Sequence, residues 1–127
     1  MRLISVIDDD ESICRSTRLL IESHGFRAVS FETAEGFLKS GLLCNTSCLI
    51  VDLQMPGING LQLQSRLANE GCRTPIIFIT SNDNRLCRQR AMQGGAVAYL
   101  CKPFSDTTLV QSIHSALRQD KSDATVK

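Results

Sequence analysis

The chain has 127 residues, of which 43% are hydrophobic and 21% charged, and its formal net charge is +1. A chain of this length forms one domain with a buried core, and its composition is that of a globular protein. The near-neutral charge lacks the basic balance with which proteins bind nucleic acid electrostatically. We expect no direct nucleic-acid binding, and no membrane segment, because every apolar run falls short of the roughly 20 residues that span a bilayer.

The predicted elements alternate between strand and helix along the chain. The strands are the apolar runs LISVI (3–7), RAVSF (27–31), CLIVD (48–52), PIIFIT (75–80) and VAYLC (97–101). Helical spacing follows each of them. For the first helix we expect a start at Asp10 or Glu11, an end at Gly25 and an inward face of Ile13, Thr17, Leu20 and His24.

The other four helices are predicted from start signals, apolar spacing and glycine stops. The second begins near Thr33 and Glu35 and buries Phe37 and Leu38. The third contains Leu63 and Leu67, and the fourth contains Leu86, Arg90 and Ala91 and ends at Gly94. The fifth is capped by Ser105 or Asp106 and directs inward Leu109, Val110, Ile113 and Leu117.

This alternation predicts an α/β fold with a doubly wound, five-stranded parallel sheet and five helices. Strands 1, 3 and 4 are almost continuously hydrophobic, as strands covered on both faces are. Right-handed crossovers place the carboxyl ends of all strands at one edge, where such sheets bind ligands. We assign residues 1–120 to this domain and 121–127 to a polar C-terminal tail, and expect fraying from Arg118 onward.

Six cysteines are present, namely Cys14, Cys44, Cys48, Cys72, Cys87 and Cys101. An even number is compatible with disulfides, but no signal-peptide pattern precedes them, and several lie in apolar runs where a free thiol acts as a small hydrophobe. We therefore favour reduced thiols and a cytoplasmic location. The spacing of Cys44 and Cys48 lacks the further ligands of a zinc site.

Polar residues follow four of the five predicted strands. Asp8 and Asp9 follow strand 1, Asp52 ends strand 3, Thr80 ends strand 4 and Lys102 follows strand 5. Each alone is compatible with a cap, a turn or a surface residue. Together they predict a site at one edge of the sheet.

Three carboxylates at one edge repel each other unless a cation neutralises them. Oxygen ligands without His or Cys favour Mg2+ or Mn2+, while Asp10 is expected to begin the first helix. A carboxylate beside a metal, the Lys102 ammonium and the Thr80 hydroxyl can attack phosphorus as a nucleophile. The residues therefore point to phosphoryl transfer.

The motifs VIDDDE, VDLQMPGINGL, FIT and AYLCKPF resemble, in this order, the receiver domain of bacterial two-component response regulators, and in particular FixJ-like receivers. The resemblance covers residues 3 to 120 and implies a flavodoxin-like fold with strand order 2-1-3-4-5. It also implies a signalling phosphoacceptor that supports its own phosphotransfer and dephosphorylation, and not an enzyme with a separate substrate. FixJ-like receivers commonly precede a helix-turn-helix output domain, which implies a role in transcription regulation.

The resemblance assigns roles to the acidic residues. Asp52 accepts a phosphoryl group from a phosphohistidine on a sensor histidine kinase. Asp9 and Asp52 ligate Mg2+ together with the backbone carbonyl of Gln54, and Asp8 acts through water. The positions of Gln54 and Asn82 tune the rate of dephosphorylation.

The resemblance also implies a conformational switch. Lys102 pairs with Asp52 or the phosphoryl group, and its peptide bond to Pro103 is cis. Thr80 moves toward the phosphoryl group, and Tyr99 swings inward to fill the vacated space. The fourth helix, fifth strand and fifth helix then form the homodimer surface, with the charged residues Arg85, Arg88, Arg90, Asp106, Arg118 and Asp120.

Two alternatives remain open. Asp8 and Asp10 imitate the DxD motif of haloacid-dehalogenase-type phosphatases, which use an aspartate nucleophile, but the later acidic pair of that class is missing. A pseudo-receiver would bind partners without phosphorylation, yet such proteins lack an essential acid, Thr or Lys, and none is missing here.

Overall fold

The computed structural model describes the backbone of residues 2–55 and 57–125 and the side chains of residues 2–55 and 57–118. Five strands alternate with five helices, as predicted. The strands are β1 (Leu3–Ile7), β2 (Arg27–Phe31), β3 (Thr46–Asp52), β4 (Ile76–Thr80) and β5 (Ala98–Cys101). The helices are α1 (Glu11–Ser23), α2 (Ala34–Lys39), α3 (Gly60–Asn69), α4 (Arg85–Gln93) and α5 (Asp106–Thr125), and a short 3-10 turn spans Leu43–Asn45.

The strands form one parallel sheet in the order β2-β1-β3-β4-β5, which confirms the predicted flavodoxin-like topology. β1 lies between β2 and β3, so the chain reverses its direction of sheet growth at β1. In open parallel sheets the crevice at such a reversal, outside the carboxyl ends of the strands, is where ligands bind. The fold therefore fixes where a site is expected.

The core has two layers, one on each face of the sheet. Neighbouring strand residues point to opposite faces, so Val51 and Phe78 pack on one face and Ile50 and Ile77 on the other. The first layer includes residues of α2, α3 and α4, and the second includes residues of α1 and α5. This double burial explains the continuous hydrophobic runs of the central strands.

Side-chain caps start the helices, and those of α1, α2 and α5 lie where the sequence predicts them. Asp10 accepts backbone N–H bonds at the start of α1, Thr33 does so for α2, and Ser105 accepts the N–H of Thr108 at the start of α5. Asn59 and Gln62 form a reciprocal capping box at the start of α3. These bonds satisfy the free N–H groups of the first turns and fix where each helix follows its strand.

Two predicted helix faces are wrong in part. In α1 the buried residues are Cys14, Thr17 and Ile21, whereas Ile13 and Leu20 are half-buried and His24 is exposed. The stripe is rotated by one position, because Cys14 lies under the end of β1. In α4 only Ala91 is buried among the described residues, and Leu86 is 55% exposed.

The C-terminal helix is longer than predicted. α5 buries Leu109, Ile113 and Leu117 as expected, but the helix continues past Arg118 to Thr125. The predicted division between a domain ending at residue 120 and a tail of 121–127 stays a prediction. Within the described residues, no helix combines the length and the apolar character that crossing a membrane requires.

Candidate functional site

The sheet register brings the predicted site residues to one edge. Ile7 of β1 pairs with Val51, so Asp8 and Asp52 follow side by side. Asp52 pairs with Ile79 of β4, and Thr80 pairs with Cys101 of β5, directly before Lys102. The close approach of α3 behind Asp52 needs a glycine at position 60, where a Cβ would lie 3.0 Å from the Asp52 carbonyl oxygen. Four of the five strands, namely β1, β3, β4 and β5, thus deliver the predicted site residues to the same edge.

Three carboxylates converge in this crevice. One oxygen from each of Asp8, Asp9 and Asp52 lies within 4.8 Å of the others. Asp8 is fully buried and Asp52 is 5% exposed, while Asp9 is open to solvent. Asp10 is turned away, since its Oδ1 accepts the N–H groups of Ser12 and Ile13 at 2.9 and 3.3 Å. The phosphatase alternative requires Asp8 and Asp10 to act together, and this geometry does not support it.

The Lys102 ammonium lies between the two buried carboxylates. Its Nζ is 2.9 Å from Asp8 Oδ2 and 3.4 Å from Asp52 Oδ2. Burial acts to lower the pKa of Lys102, but the two carboxylates outweigh it and raise that pKa above its usual value. The peptide bond between Lys102 and Pro103 is cis, as the resemblance implies. Lys102 is therefore held as a cation within the site.

The environment of Asp52 leaves its charge only partly compensated. Burial raises the pKa of Asp52 above its usual value, and the neighbouring Asp8 adds to this effect. The N–H of Gln54, 3.1 Å from Asp52 Oδ1, and the Lys102 ammonium act in the opposite direction. Gln54 itself is exposed beside Asp52. Asp52 is thus a buried carboxylate with one oxygen near the lysine and the other near a backbone N–H.

The residues present fit a hard divalent cation. The donors are three carboxylate oxygens, the ligand type that Mg2+ and Mn2+ prefer. Three carboxylates and one ammonium leave a net charge of about −2, which a divalent ion would neutralise. The geometry supports the predicted metal ligands Asp9 and Asp52, with Asp8 beside them.

The two predicted switch residues, Thr80 and Tyr99, are both buried. The Thr80 hydroxyl is fully buried, donates to the Asn82 carbonyl at 3.2 Å and receives the Asn82 N–H at 3.1 Å. Tyr99 is only 8% exposed, and the Arg88 guanidinium lies 4.7 Å from the centre of its ring. Tyr99 is thus covered while Thr80 is bonded to Asn82. How the two move on phosphorylation stays a prediction.

The sequence analysis missed three supporting residues. Cys14 donates its thiol to the Asp8 carbonyl at 3.1 Å, and burial raises the pKa of this thiol, which keeps the donor protonated. Glu35 Oε2 accepts the N–H of Ile58 at 3.2 Å, although Glu35 was expected only to start α2. Arg88 was named only as a surface charge. The spacing of Cys14, Thr17 and Ile21 also fits one face of a helix, so the burial of Cys14 could have been predicted. No local pattern predicts the contacts of Glu35 and Arg88.

A family model described as "Response regulator receiver domain" matches residues 4–114. Nodulation protein W of Bradyrhizobium diazoefficiens is 40% identical over 119 residues, which cover 94% of this chain and 52% of that protein. The transcriptional regulatory protein FixJ of the same organism is 36% identical over 116 residues, which cover 91% and 57%. The chain spans about half the length of these curated relatives.

Solved structures agree with the sequence relatives. The response regulator StyR superposes with a TM-score of 0.91 at 33% identity, over 98% of this chain and 63% of that one. A response regulator receiver protein from Burkholderia phymatum gives a TM-score of 0.79 at 38% identity, over 92% and 95%. The structure titled FixJ-N gives 0.83 at 28% identity, over 93% and 94%.

Proposed function

The chain belongs to the family of response regulator receiver domains of two-component systems, and we propose that Asp52 is its phosphoacceptor. The observation that carries this proposal is the position of Asp52 in the crevice. It is buried at the carboxyl end of β3, shares the Lys102 ammonium with Asp8 and has a carboxylate oxygen within 4.8 Å of one of Asp9. A carboxylate in these surroundings can attack a phosphoryl group and have the transferred charge neutralised.

The phosphoryl donor is a phosphohistidine on a sensor histidine kinase. The P–N bond of the donor breaks with its electron pair going to the histidine, and a P–O bond forms to a carboxylate oxygen of Asp52. Lys102 already contacts Asp52 and is positioned to pair with the incoming phosphoryl oxygens as a point charge. No further catalytic side chain is needed, because phosphoryl transfer depends mainly on positioning and charge neutralisation.

Asp9, Asp52 and the Gln54 carbonyl would hold Mg2+ or Mn2+, with Asp8 acting through water. Bound there, the ion supplies charge neutralisation to the transferring phosphoryl group. Gln54 and Asn82 are both exposed; the Gln54 N–H contacts Asp52, and Asn82 is bonded to Thr80 at the end of the neighbouring strand. They set how easily water reaches the phosphoryl group, and so tune the lifetime of the phosphorylated state.

Phosphorylation acts by population shift. Thr80 leaves Asn82 to donate to the phosphoryl group, and Tyr99 repacks in response. The altered surface of α4, β5 and α5 is the proposed homodimer interface. Its described charged residues are all exposed, namely Arg85, Arg88, Arg90, Asp106 and Arg118, whereas the side chain of Asp120 lies outside the described residues.

The output is proposed to be transcription regulation. Two of the relatives are named "Transcriptional regulatory protein FixJ", and this chain matches about half of their length. The receiver would act there on an output region or partner and would not itself contact DNA. A cytoplasmic location follows from this role.

Mass spectrometry tests the phosphoacceptor directly. Incubation with a small acyl phosphate and Mg2+ is expected to add one phosphoryl mass to the protein, and Asp52→Asn is expected to abolish the gain. Asp10→Asn is the matched control, because Asn caps a helix as well as Asp and Asp10 lies outside the cluster. A mass gain that persists in Asp52→Asn would exclude Asp52 as the acceptor.

A further inference from the structure

Thr80 is linked to the loop that joins β4 to α4. Its hydroxyl makes two hydrogen bonds to the backbone of Asn82, one to the carbonyl and one from the N–H. A hydroxyl has one proton to donate. If Thr80 donates to a phosphoryl oxygen, it must therefore release the Asn82 carbonyl, and the loop loses one of its two hydrogen bonds to Thr80.

The next loop residue is tied to α4. Asp83 Oδ1 and Oδ2 lie 3.4 and 3.5 Å from Nη2 of Arg88, which stands in the first turn after the Asn84 cap. The pair is about half exposed, at 47% for Arg88 and 55% for Asp83. Such a pair is individually weak, so a small movement of the loop is enough to break it.

The same guanidinium covers the Tyr99 ring. The Arg88 Cζ lies 4.7 Å from the ring centre, within the range of a cation–π contact. The same Nη2 is 4.0 Å from the Cys101 Sγ on β5. Arg88 is exposed while the ring beneath it is 8% exposed, so this side chain lies between Tyr99 and the solvent.

We propose that Arg88 is a positioning residue that couples Thr80 to Tyr99, by tying the loop at Asp83 while covering the Tyr99 ring. Release of Asn82 by Thr80 frees Asp83, which loosens Arg88 and uncovers the ring. The contacts that form this coupling are Thr80 with Asn82, Asp83 with Arg88, and Arg88 with Tyr99. The coupling rests on the proposed function for its trigger, since the phosphoryl group on Asp52 is what attracts Thr80.

The composition offers a direct probe of the ring. The chain has one tyrosine and no tryptophan, so its ultraviolet emission reports Tyr99 alone. Acrylamide quenching measured on the unphosphorylated protein reports how well Arg88 covers the ring. In Arg88→Ala we expect the quenching constant to rise by a factor of about two to five. This is the factor by which an exposed cation–π contact favours the covered state of the ring over the open state.

Three further variants test whether Arg88 couples Thr80 to Tyr99 or only covers the Tyr99 ring. Arg88→Lys keeps a cation over the ring and is expected to restore most of the protection. Asp83→Asn removes the tie to the loop and is expected to give quenching between that of wild type and Arg88→Ala. Thr80→Val removes the hydroxyl bonds to Asn82 without changing side-chain size, and is expected to raise the quenching constant although it lies on another strand.

The matched control is Arg90→Ala. Arg90 stands two positions along α4 from Arg88, on a different face of the helix, and is also exposed. Its removal is expected to leave quenching at the wild-type value, and circular dichroism verifies that every variant is folded. Equal quenching in wild type and Arg88→Ala, or in wild type and Thr80→Val, would overturn the proposal.

A phosphorylated arm distinguishes this proposal from the proposed function. Arg88→Ala is expected to gain the same phosphoryl mass as wild type, because Arg88 does not contact Asp52. The difference in quenching between its phosphorylated and unphosphorylated forms is expected to be smaller than in wild type, and an equal difference would contradict the coupling. If wild type gains no mass, the proposed function fails, while the comparisons on unphosphorylated protein still decide the role of Arg88.

Discussion

Lys102 forms its shorter ion pair with Asp8, at 2.9 Å, although Asp52 is also within reach at 3.4 Å. Asp8 is fully buried, and its other oxygen accepts the N–H of Asp10 at 2.9 Å. A buried carboxylate without partners would be costly, so the contacts of Asp8 with Lys102 and the Asp10 N–H offset the cost of its burial. Lys102 thus neutralises part of the charge of both buried carboxylates.

Replacing Lys102 by Ala is expected to lower the free energy of unfolding by about 3 kcal/mol without divalent cations, since the buried carboxylates lose their counter-charge. Mg2+ is expected to recover much of this loss, because it neutralises the same oxygens and its binding is largely retained. Chemical denaturation with and without Mg2+ measures both effects. The phosphorylated variant is expected not to switch, so unchanged phosphorylation-dependent dimerisation would count against the role of Lys102.

Lys39→Ala is the control for this experiment. Lys39 is exposed in the last turn of α2, at the opposite end of that helix from the Thr33 cap that follows β2. Its removal is expected to change stability by no more than about 0.5 kcal/mol. If Lys102→Ala lowers the free energy of unfolding by the same amount with and without Mg2+, Lys102 does not share a site with the ion.

Tyr99 is expected to make stability depend on alkaline pH. Burial raises the pKa of the Tyr99 hydroxyl above its usual value, and Asp83, Cys87 and Cys101 add to this; the Asn84 backbone acts in the opposite direction. Because the pKa of Tyr99 is higher in the folded state than the unfolded value of about 10, Tyr99 contributes to the free energy of unfolding, and this contribution is complete below pH about 10. It is lost as the pH rises through the folded-state pKa.

The free energy of unfolding should therefore fall more steeply above pH about 10 in wild type than in Tyr99→Phe. Because Tyr99 is the only tyrosine, its ionisation can be followed by ultraviolet absorbance without interference. The titration midpoint is expected above that of free tyrosine. A midpoint at or below the free value would contradict the burial of the ring in solution.

At neutral pH, Tyr99→Phe is expected to keep or raise stability. The Tyr99 hydroxyl is buried and, although the Asn84 backbone lies near it, makes no hydrogen bond of good geometry within the described part of the chain. Removing a buried polar atom that has no partner relieves a desolvation cost, so a gain of up to about 1 kcal/mol is expected from thermal or chemical denaturation. A loss of similar size would reveal a hydrogen-bond partner for this hydroxyl, such as a bound water.

Glu35 is expected to support the loop that follows Asp52. Its Oε2 accepts the Ile58 N–H, and a Cβ on Gly57, which has φ +78°, would lie 2.5 Å from the same oxygen. Glu35→Ala should cost about 2 kcal/mol, the range for a hydrogen bond to a charged group. It should also weaken Mg2+ binding, since this loop carries the proposed Gln54 carbonyl ligand.

Exposed Glu32, three residues before Glu35, offers the control Glu32→Ala. It removes the same charge from the start of the same segment without touching the loop. Isothermal titration with Mg2+ should therefore separate the two variants. Equal Mg2+ affinity in both would show that Glu35 holds the loop for stability alone.

Local sequence patterns account for the framework of the site, and long-range contacts account for what they missed. The strands and the Thr33 and Ser105 caps follow from neighbouring residues, and a parallel sheet then brings Asp8, Asp52 and Lys102 to one edge. The shorter pairing of Lys102 with Asp8 depends on distances between strands, which no local pattern contains. The bond from Glu35 to Ile58 likewise joins residues 23 positions apart.

Errors in the predicted helix faces have the same origin. In α1 the positions of Ile13 and Cys14 both continue an apolar period, but Cys14 is the one that packs in the core and donates to the Asp8 carbonyl. In α4, Leu86 satisfies the helical spacing but lies in the first turn, where it does not reach the core. Judged by hydrophobicity alone, Leu86 is the better candidate for a core residue than Ala91, but in the structure Ala91 is buried and Leu86 is exposed.

The contact between α3 and α4 gives the last prediction. Gln64 is 7% exposed and donates from Nε2 to the Ala91 carbonyl at 2.9 Å, and a Cβ on Gly94 would lie 2.5 Å from its Oε1. Gly94→Ala is expected to cost about 2 kcal/mol, because overpacking displaces the buried amide from its bond. Adding Gln64→Ala should remove the clash, so the two changes should cost less together than the sum of the single variants, by about 1 kcal/mol or more in a denaturation cycle. Strictly additive costs would show that α4 shifts freely relative to α3, and that Gln64 does not hold this helix against the sheet.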